Sequence, residues 1–335
     1  MLTDGNIDNA SARIRAIQYI PYFESIDYCV AHIPRVSTRP FGLISKYSVY
    51  PVLKRWYRLK IALSIIFRKW DLVFIQRIFI SENLLKMLHS RSIPVIFDFD
   101  DAIYINPRNP SHLQKAVTMV KWSNQVIVST EYLKVFCLKN GKTAEVIVSP
   151  VETDRIYPMQ KTHNQIVTIG WIGSPWTSGF LEIVEKPLKR LAEKYEFRFL
   201  TIGARPEYKI EGVNHETKPW IFEDENEVIG QMDIGIMPLP DTEFARMKGG
   251  YKLLQYLSAG IPCVASAVGI NQSIVKPGDN GYLASSDEEW FDALEKLMLD
   301  PKSRLEMGIN GRKDAVELYS REVCFEKINQ IANKL

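Results

Sequence analysis

Little in this sequence supports metal or disulfide chemistry. Cysteine is scarce, with only Cys29, Cys137, Cys263 and Cys324 in 335 residues. They are widely scattered, without a CxxC or a Cys/His cluster, which argues against a structural zinc site and for free thiols in a reducing cytoplasm. The five histidines share no motif. No run of eighteen apolar residues occurs, so no transmembrane helix is expected. The polar start "MLTDGNIDNASARIRA" lacks the apolar region of a signal peptide. Net charge is only +3. With no RNA- or DNA-binding motif, nucleic acid is not an expected partner. The dinucleotide fingerprint G-x-G-x-x-G is missing, which argues against a nicotinamide-dependent oxidoreductase.

What is present reads as a globular α/β protein. Apolar residues make up 46% and charged residues 24%, and the length suits two domains rather than one core. In the second half, an apolar, β-branched run at 165–173 and strand-like stretches at 197–204, 234–240, 261–266 and near 281–285 alternate with helical stretches at 178–196, 222–233, 251–259 and 287–300. Such alternation predicts a parallel, doubly wound sheet, with ligands at the carboxyl ends of its strands. The first half repeats this less clearly, with a helix over 10–25, strands at 71–77, 94–101 and 125–130, and a helix over 115–124. The polar stretch 149–164 reads as the linker. The pattern predicts two Rossmann-like domains facing across a cleft.

The stretch "ARMKGGYKLLQYLSAGIPCVAS" (245–266) concentrates the chemistry. Leu253, Leu254 and Leu257 give its helix a buried face, Gly260 suits a C-cap, and Pro262 prevents continuation. Lys248, Gly249, Gly250 and Lys252 gather mobile positive charge and open backbone amides at the helix start, as an anion site requires. The competing reading is two solvated lysines beside a helix cap.

The string "DIGIMPLPDTEFARMKGGYKLLQYLSAGIPCVASAVGINQSIVKPGDNGYL" resembles the donor-binding half of glycosyltransferase family four, of the GT-B fold. "SARIRAIQYIPYF", "VFIQR" and "FDFDD" resemble the N-terminal half of one branch of that family. The resemblance implies retaining transfer of a sugar from a UDP- or GDP-sugar to a glycan or lipid-linked glycan acceptor, in polysaccharide, lipopolysaccharide or cell-envelope assembly. It also implies an acceptor-side domain over 1–155, a donor domain over 156–318, and a helix over 319–335 crossing back to the first. The donor diphosphate is then the anion, held by Lys248, Gly249, Gly250 and Lys252. Charge grows on that leaving group in the transition state, so the same contacts serve catalysis. Family members often carry two glutamates with seven residues between them. Those positions here are Met247 and Gln255. Gln255 can still hydrogen-bond ribose hydroxyls. Met247 cannot replace a carboxylate, and Glu243, four residues earlier, is the substitute candidate. The family's opening strand is short or missing here. Alternatives are a degenerate GT-B homologue that binds nucleotide sugar or a partner without transfer, and a GT-B-like sugar-nucleotide epimerase or hydrolase.

Other features are less specific. In "DFDD", Asp98 and Asp100 share one side of a strand and Asp101 the other. They suit acceptor positioning or proton uptake, a divalent metal site, or a structural turn cap. Because GT-B enzymes generally need no metal, acceptor work is favoured, and no metal or other cofactor is expected. "GWIGSPWTSG" (170–179) offers Gly173, Ser174 and Thr177 to a phosphate or sugar hydroxyl, or serves as an ordinary cap. Trp220 borders a nucleobase or sits in the core. Arg13 and Arg15 lie on the first helix, where family members place similar arginines. Finally, "KYSVYPVLKRWYRLKIALSIIFRK" (46–69) holds seven Lys/Arg, no acid, and many aromatic and aliphatic residues. Such a segment either packs on its own domain or lies on an anionic membrane. The expected location is the cytoplasm, with peripheral contact at the inner membrane face.

Overall fold

The computed structural model describes residues 1–35, 50–106, 109–160 and 166–335, without the side chains of residues 50, 51 and 54. The chain divides into unit 1, Met1–Ser149 with Cys324–Leu335, and unit 2, Pro150–Val323.

Unit 1 is built on six parallel strands: β1 (Leu2–Thr3), β2 (Ile33–Pro34), β3 (Val73–Gln76), β4 (Val95–Phe99), β5 (Gln125–Val128) and β6 (Glu145–Val146), in the order β2-β1-β3-β4-β5-β6. The three central strands read as nearly continuous apolar runs because helices cover both faces of such a sheet. Strand order reverses between β1 and β3, the switch point of this topology. The opening strand exists but is two residues long. The helix expected over 10–25 is broken into Ala10–Arg15, a 3₁₀ turn Ile17–Tyr19, and Ile20–Glu24. Ala16 leaves the helical region at φ −142°, and Pro21 opens the next helix, where its missing N–H costs nothing. The final helix, Arg321–Ala332, adds Cys324, Phe325, Ile328 and Ala332 to a core with Tyr19, Phe23, Phe74 and Ile96. Phe325 meets Phe23 edge-on at 4.9 Å between ring centroids.

Unit 2 carries β7 (Val167–Ile172), β8 (Phe197–Ile202), β9 (His215–Lys218), β10 (Ile234–Met237), β11 (Cys263–Ser266) and β12 (Gly281–Ala284), all parallel, in the order β12-β11-β10-β7-β8-β9. This is the dinucleotide-domain strand order, with its switch point between β7 and β10. Trp171, Phe197, Phe199, Trp290 and Phe291 fill the core. From Pro150 onward, the described part of the supposed linker is bound into unit 2. Val151 bridges to Ser320, and Arg312 donates to the carbonyls of Thr153 and Ile156. Residues 161–165 lie outside the described residues.

β9 escaped the sequence reading because it is a short edge strand with no apolar run. Its His215 accepts from the Ile210 amide at Nδ1 (3.1 Å) and meets the Thr201 hydroxyl at Nε2 (3.0 Å). Burial, helped by Lys209, pushes its pKa down to about 4. The unfolded chain therefore binds the extra proton between about 4 and 6.5, and stability must rise with pH through that window. His215→Asn should flatten that slope in thermal melts at pH 4 to 7. An unchanged slope would rule His215 out as its source.

Candidate active site

The switch point of unit 2 is shaped by one tyrosine. Tyr256 lies on the helix Tyr251–Ser258 and is fully buried. Its hydroxyl accepts from the Ile172 amide (3.0 Å) and donates to the Ile236 carbonyl (3.1 Å), bridging β7 and β10 near their carboxyl ends. Backbone pairing between these strands covers Ile234↔Ile169 and Gly235↔Gly170. Gly235 is required here, since a Cβ would lie 2.4 Å from the Tyr256 ring. The same helix begins at Gly250, in the left-handed region at φ 69°, where a side chain would also collide with Ile270 and Ile274. It ends at Gly260, φ 68°, where the Ile261 amide returns to the Tyr256 carbonyl, as the sequence reading of a C-cap required.

The second residue of this helix, Lys252, crosses the end of β7. A Cβ on Gly173 would lie 2.8 Å from Lys252 Cε and 2.4 Å from the Trp171 ring. Lys252 Nζ sits 5.4 Å from that ring's centroid. Lys248 approaches the neighbouring 3₁₀ helix Thr177–Val184, with Nζ 4.8 Å from the Phe244 ring and 6.0 Å from Phe180. Two cations, a glycine pair and the Gly173–Ser174 turn thus gather at one end of the sheet. In that turn the Ser174 amide donates to Thr177 Oγ1 at 3.2 Å.

A second cluster adjoins it. Gly203, φ 72°, ends β8, and a Cβ there would lie 2.3 Å from the Gly173 carbonyl oxygen and 3.1 Å from Trp220 Cβ. Trp220 donates its indole N–H to Glu225 Oε1 (2.7 Å), and Gln255 Nε2 donates to the same oxygen (2.9 Å). Arg155 donates to the other Glu225 oxygen (2.5 Å) and to Glu152 (2.7 Å), its guanidinium 4.3 Å above Phe222. Trp220 and Gln255, assigned to base and ribose, therefore share one buried carboxylate. Trp220 remains 40% exposed, leaving ring surface for a ligand, whereas Gln255 is buried. Glu225 and Arg155 were not foreseen. One lay in an acidic helix start and the other in the apparent linker. Glu225→Ala should leave Arg155, Trp220 and Gln255 without their common acceptor and cost about 2–3 kcal/mol in urea unfolding. A loss below about 0.5 kcal/mol would contradict that role.

Glu243 is not drawn into either cluster by any described contact. It is exposed on the four-residue helix Glu243–Arg246, capped by Thr242. Met247, which follows, is buried.

In unit 1, polar groups collect at the β1/β3 switch point. Gln76, ending β3, accepts from the Asp4 amide (3.1 Å) and donates to Ser11 Oγ (2.8 Å). Ser11 donates to the Asp100 carboxylate (2.8 Å). Arg77 holds both Asp100 (3.2 Å) and Asp101 (3.0 Å), from an unusual left-handed backbone at φ 62°. Asp98 behaves differently. It is fully buried and takes both Nε (3.1 Å) and Nη2 (2.5 Å) of Arg15, whose Nη1 donates to the Ile147 carbonyl. Burial pushes its carboxyl up, against the downward pull of the Arg15 guanidinium. Arg13 is likewise buried and donates to the Ile7 carbonyl. Only Asp100 and Asp101 of the three aspartates reach solvent. Among the described residues, no group of three or more His, Cys, Asp or Glu could hold a metal ion.

Comparison with known proteins bears on these two sheets and their clusters. Residues 163–300 match the family described as glycosyl transferases group 1. The sucrose-phosphate synthase of Thermosynechococcus elongatus superposes with a TM-score of 0.74 at 14% identity, over 99% of this chain and 98% of that one. The segment 163–300 is thus similar to a group 1 glycosyl transferase domain. The fold is GT-B. Anabaena HepE in complex with UDP and glucose superposes on this chain with a TM-score of 0.69 at 13% identity, over 100% and 99% of the two chains. The lipopolysaccharide outer core galactosyltransferase WaaB, in its apo form, gives 0.68 at 14%, over 100% and 99%. No curated protein sequence matches. The matched region contains Lys248, Lys252, Gly173, Trp220, Glu225 and Gln255.

Proposed function

We propose that this chain is a glycosyltransferase that moves a sugar, with retention, from a nucleotide diphosphate sugar to a glycan or lipid-linked glycan of a cell envelope. The carrying observation is Lys252 crossing Gly173 at the β7/β10 switch point, with Lys248 beside it. A diphosphate there meets two ammonium groups, the open amides before a helix, and the dipole of that helix. Trp220 and the Glu225–Gln255 pair border the nucleoside. In unit 1, Asp100 and Asp101 orient the acceptor hydroxyl, while Asp98 holds the scaffold through Arg15. The sugar's anomeric bond to the diphosphate breaks, a bond to the acceptor oxygen forms, and the acceptor proton leaves with the nucleoside diphosphate. No metal is required in this scheme, because the two lysines offset the leaving-group charge. The UDP-bound HepE structure supports a uridine donor, WaaB supports an envelope glycan as acceptor, and a cytoplasmic nucleotide-sugar pool suits both.

Calorimetric titration with UDP, GDP, dTDP and NAD tests the donor reading. Selective binding of one nucleoside diphosphate is expected, followed by its release from the matching nucleotide sugar when a lipid-linked glycan extract is added. Absence of binding to all four would overturn it. The second reading, a donor-binding homologue without transfer, is favoured by Met247, a buried apolar side chain where the resemblance calls for a carboxylate. Binding without release under any acceptor would support that reading instead.

A further inference from the structure

The helix Tyr50–Phe67 carries two opposed apolar faces. Ile61 and Ile65 are buried, facing Leu2, Ile33 and Val73. Arg91 pins the helix end, donating to the carbonyls of Ile65 and Ile66 at 2.8 Å each, and Trp70 donates to the Ser64 carbonyl at 3.0 Å. The helix is therefore anchored to its own unit by one narrow face. On the opposite side, Val52, Trp56, Leu59, Leu63, Ile66 and Phe67 are all exposed, Trp56 to 68% and Phe67 to 78%. At 100° per residue these six fall within an arc of about 100°, centred opposite Ile61 and Ile65. A stripe of this size is not needed to fold unit 1, whose core the other face already serves.

The charges beside the stripe indicate what covers it. Exposed Arg55 lies along one edge and exposed Lys60 along the other, with Arg68 and Lys69 at the end. Residues 50–70 contain no Asp or Glu. Among the described residues, none of these four cations forms an ion pair with an acid. A protein partner of ordinary composition would need a matching acidic rim around an apolar groove. An anionic bilayer offers both parts at once, hydrocarbon beneath a layer of phosphates. We propose that this helix lies in the plane of an anionic lipid surface, with Trp56, Leu59, Leu63 and Phe67 inserted and Arg55 and Lys60 at phosphate level. Residues 46–49 of the basic segment lie outside the described residues.

The test is sedimentation of the full chain with vesicles of phosphatidylglycerol and phosphatidylcholine, or of phosphatidylcholine alone. Association only with anionic vesicles is expected, weakening as salt rises. The triple variant Trp56→Ser, Leu59→Ser, Phe67→Ser changes only exposed side chains and should reduce association at least about tenfold, with circular dichroism unchanged. Arg55→Gln with Lys60→Gln should weaken binding about tenfold and flatten its salt dependence. Wild-type protein that stays in the supernatant, or a triple variant that binds as well as wild type, would overturn the proposal. So would a dimer that the triple variant turns into monomer, since the stripe would then be covered by a second copy. None of these readings uses donor or acceptor, so the donor-site assignment can stand or fall separately.

Discussion

Lys252→Ala is expected to weaken nucleoside diphosphate binding by about 10- to 150-fold, the equivalent of one charge-assisted hydrogen bond of about 1.5–3 kcal/mol. The fall in sugar transfer should be larger, about 100- to 1,000-fold, because charge on the leaving diphosphate grows as the anomeric bond breaks. The geometry explains why one lysine carries so much. Its stem passes close over the bare Cα of Gly173 and beside the Trp171 ring, which places the ammonium near the end of β7. Lys252→Arg is expected to recover only part of the loss, since a planar guanidinium presents its charge with a different geometry from a compact ammonium. Gly173→Ala is the independent control. It keeps both lysines but forces Lys252 and Trp171 aside, and should reproduce most of the loss. Titration calorimetry on the three variants decides the matter. A dissociation constant within twofold of wild type for Lys252→Ala would remove the diphosphate from this place.

The second large effect concerns stability. Asp98→Ala should destabilise unit 1 by about 3–5 kcal/mol, because it leaves the Arg15 guanidinium buried without its counter-charge. The pair itself contributes much less than that difference, since both groups had to be desolvated to form it. Two further variants separate these quantities. Asp98→Asn keeps one acceptor for Arg15 and should lose less than Asp98→Ala. The double change Arg15→Met with Asp98→Leu removes both charges and should recover most of the stability. Urea unfolding followed by far-ultraviolet circular dichroism measures all three. A loss below about 1 kcal/mol for Asp98→Ala would mean that the pair is not the bolt between the first helix and β4. Substituting Asp100 or Asp101, which are partly exposed, should leave stability nearly unchanged while lowering transfer.

The contrast among these aspartates marks the limit of a sequence reading. "FDFDD" announces the end of a buried strand, and β4 does end there. Alternation places Asp98 and Asp100 on one side, yet one is sealed against Arg15 and the other meets Ser11 and Arg77. Just past the end of β4, Asp100 meets the start of the same helix at Ser11 and is partly exposed, whereas Asp98 meets that helix's end and is sealed. No local pattern records that difference.

Sequence alone determined the elements whose signal is local. β3, β4, β5, β7, β8, β10 and β11 are largely apolar runs because a parallel sheet buries both faces, and the edge strand β12 was legible from its short apolar stretch. The helix Tyr251–Ser258 follows from its leucine spacing, with Gly250 and Gly260 at positions that demand a left-handed backbone. The gathering of lysines and glycines at its start was visible for the same reason. Tertiary structure decided the rest. β1, β2 and β6 have two residues each, too few for a period to declare itself, and β9 carries no apolar run; all four exist through pairing with a neighbour. Glu225 binds Gln255 from thirty residues away and Arg155 from seventy, and Tyr256 joins two strands through contacts 84 and 20 residues distant. Such partners share no spacing rule. They meet only because the sheet brings the carboxyl ends of its strands together, and burial then requires each polar group to find a mate.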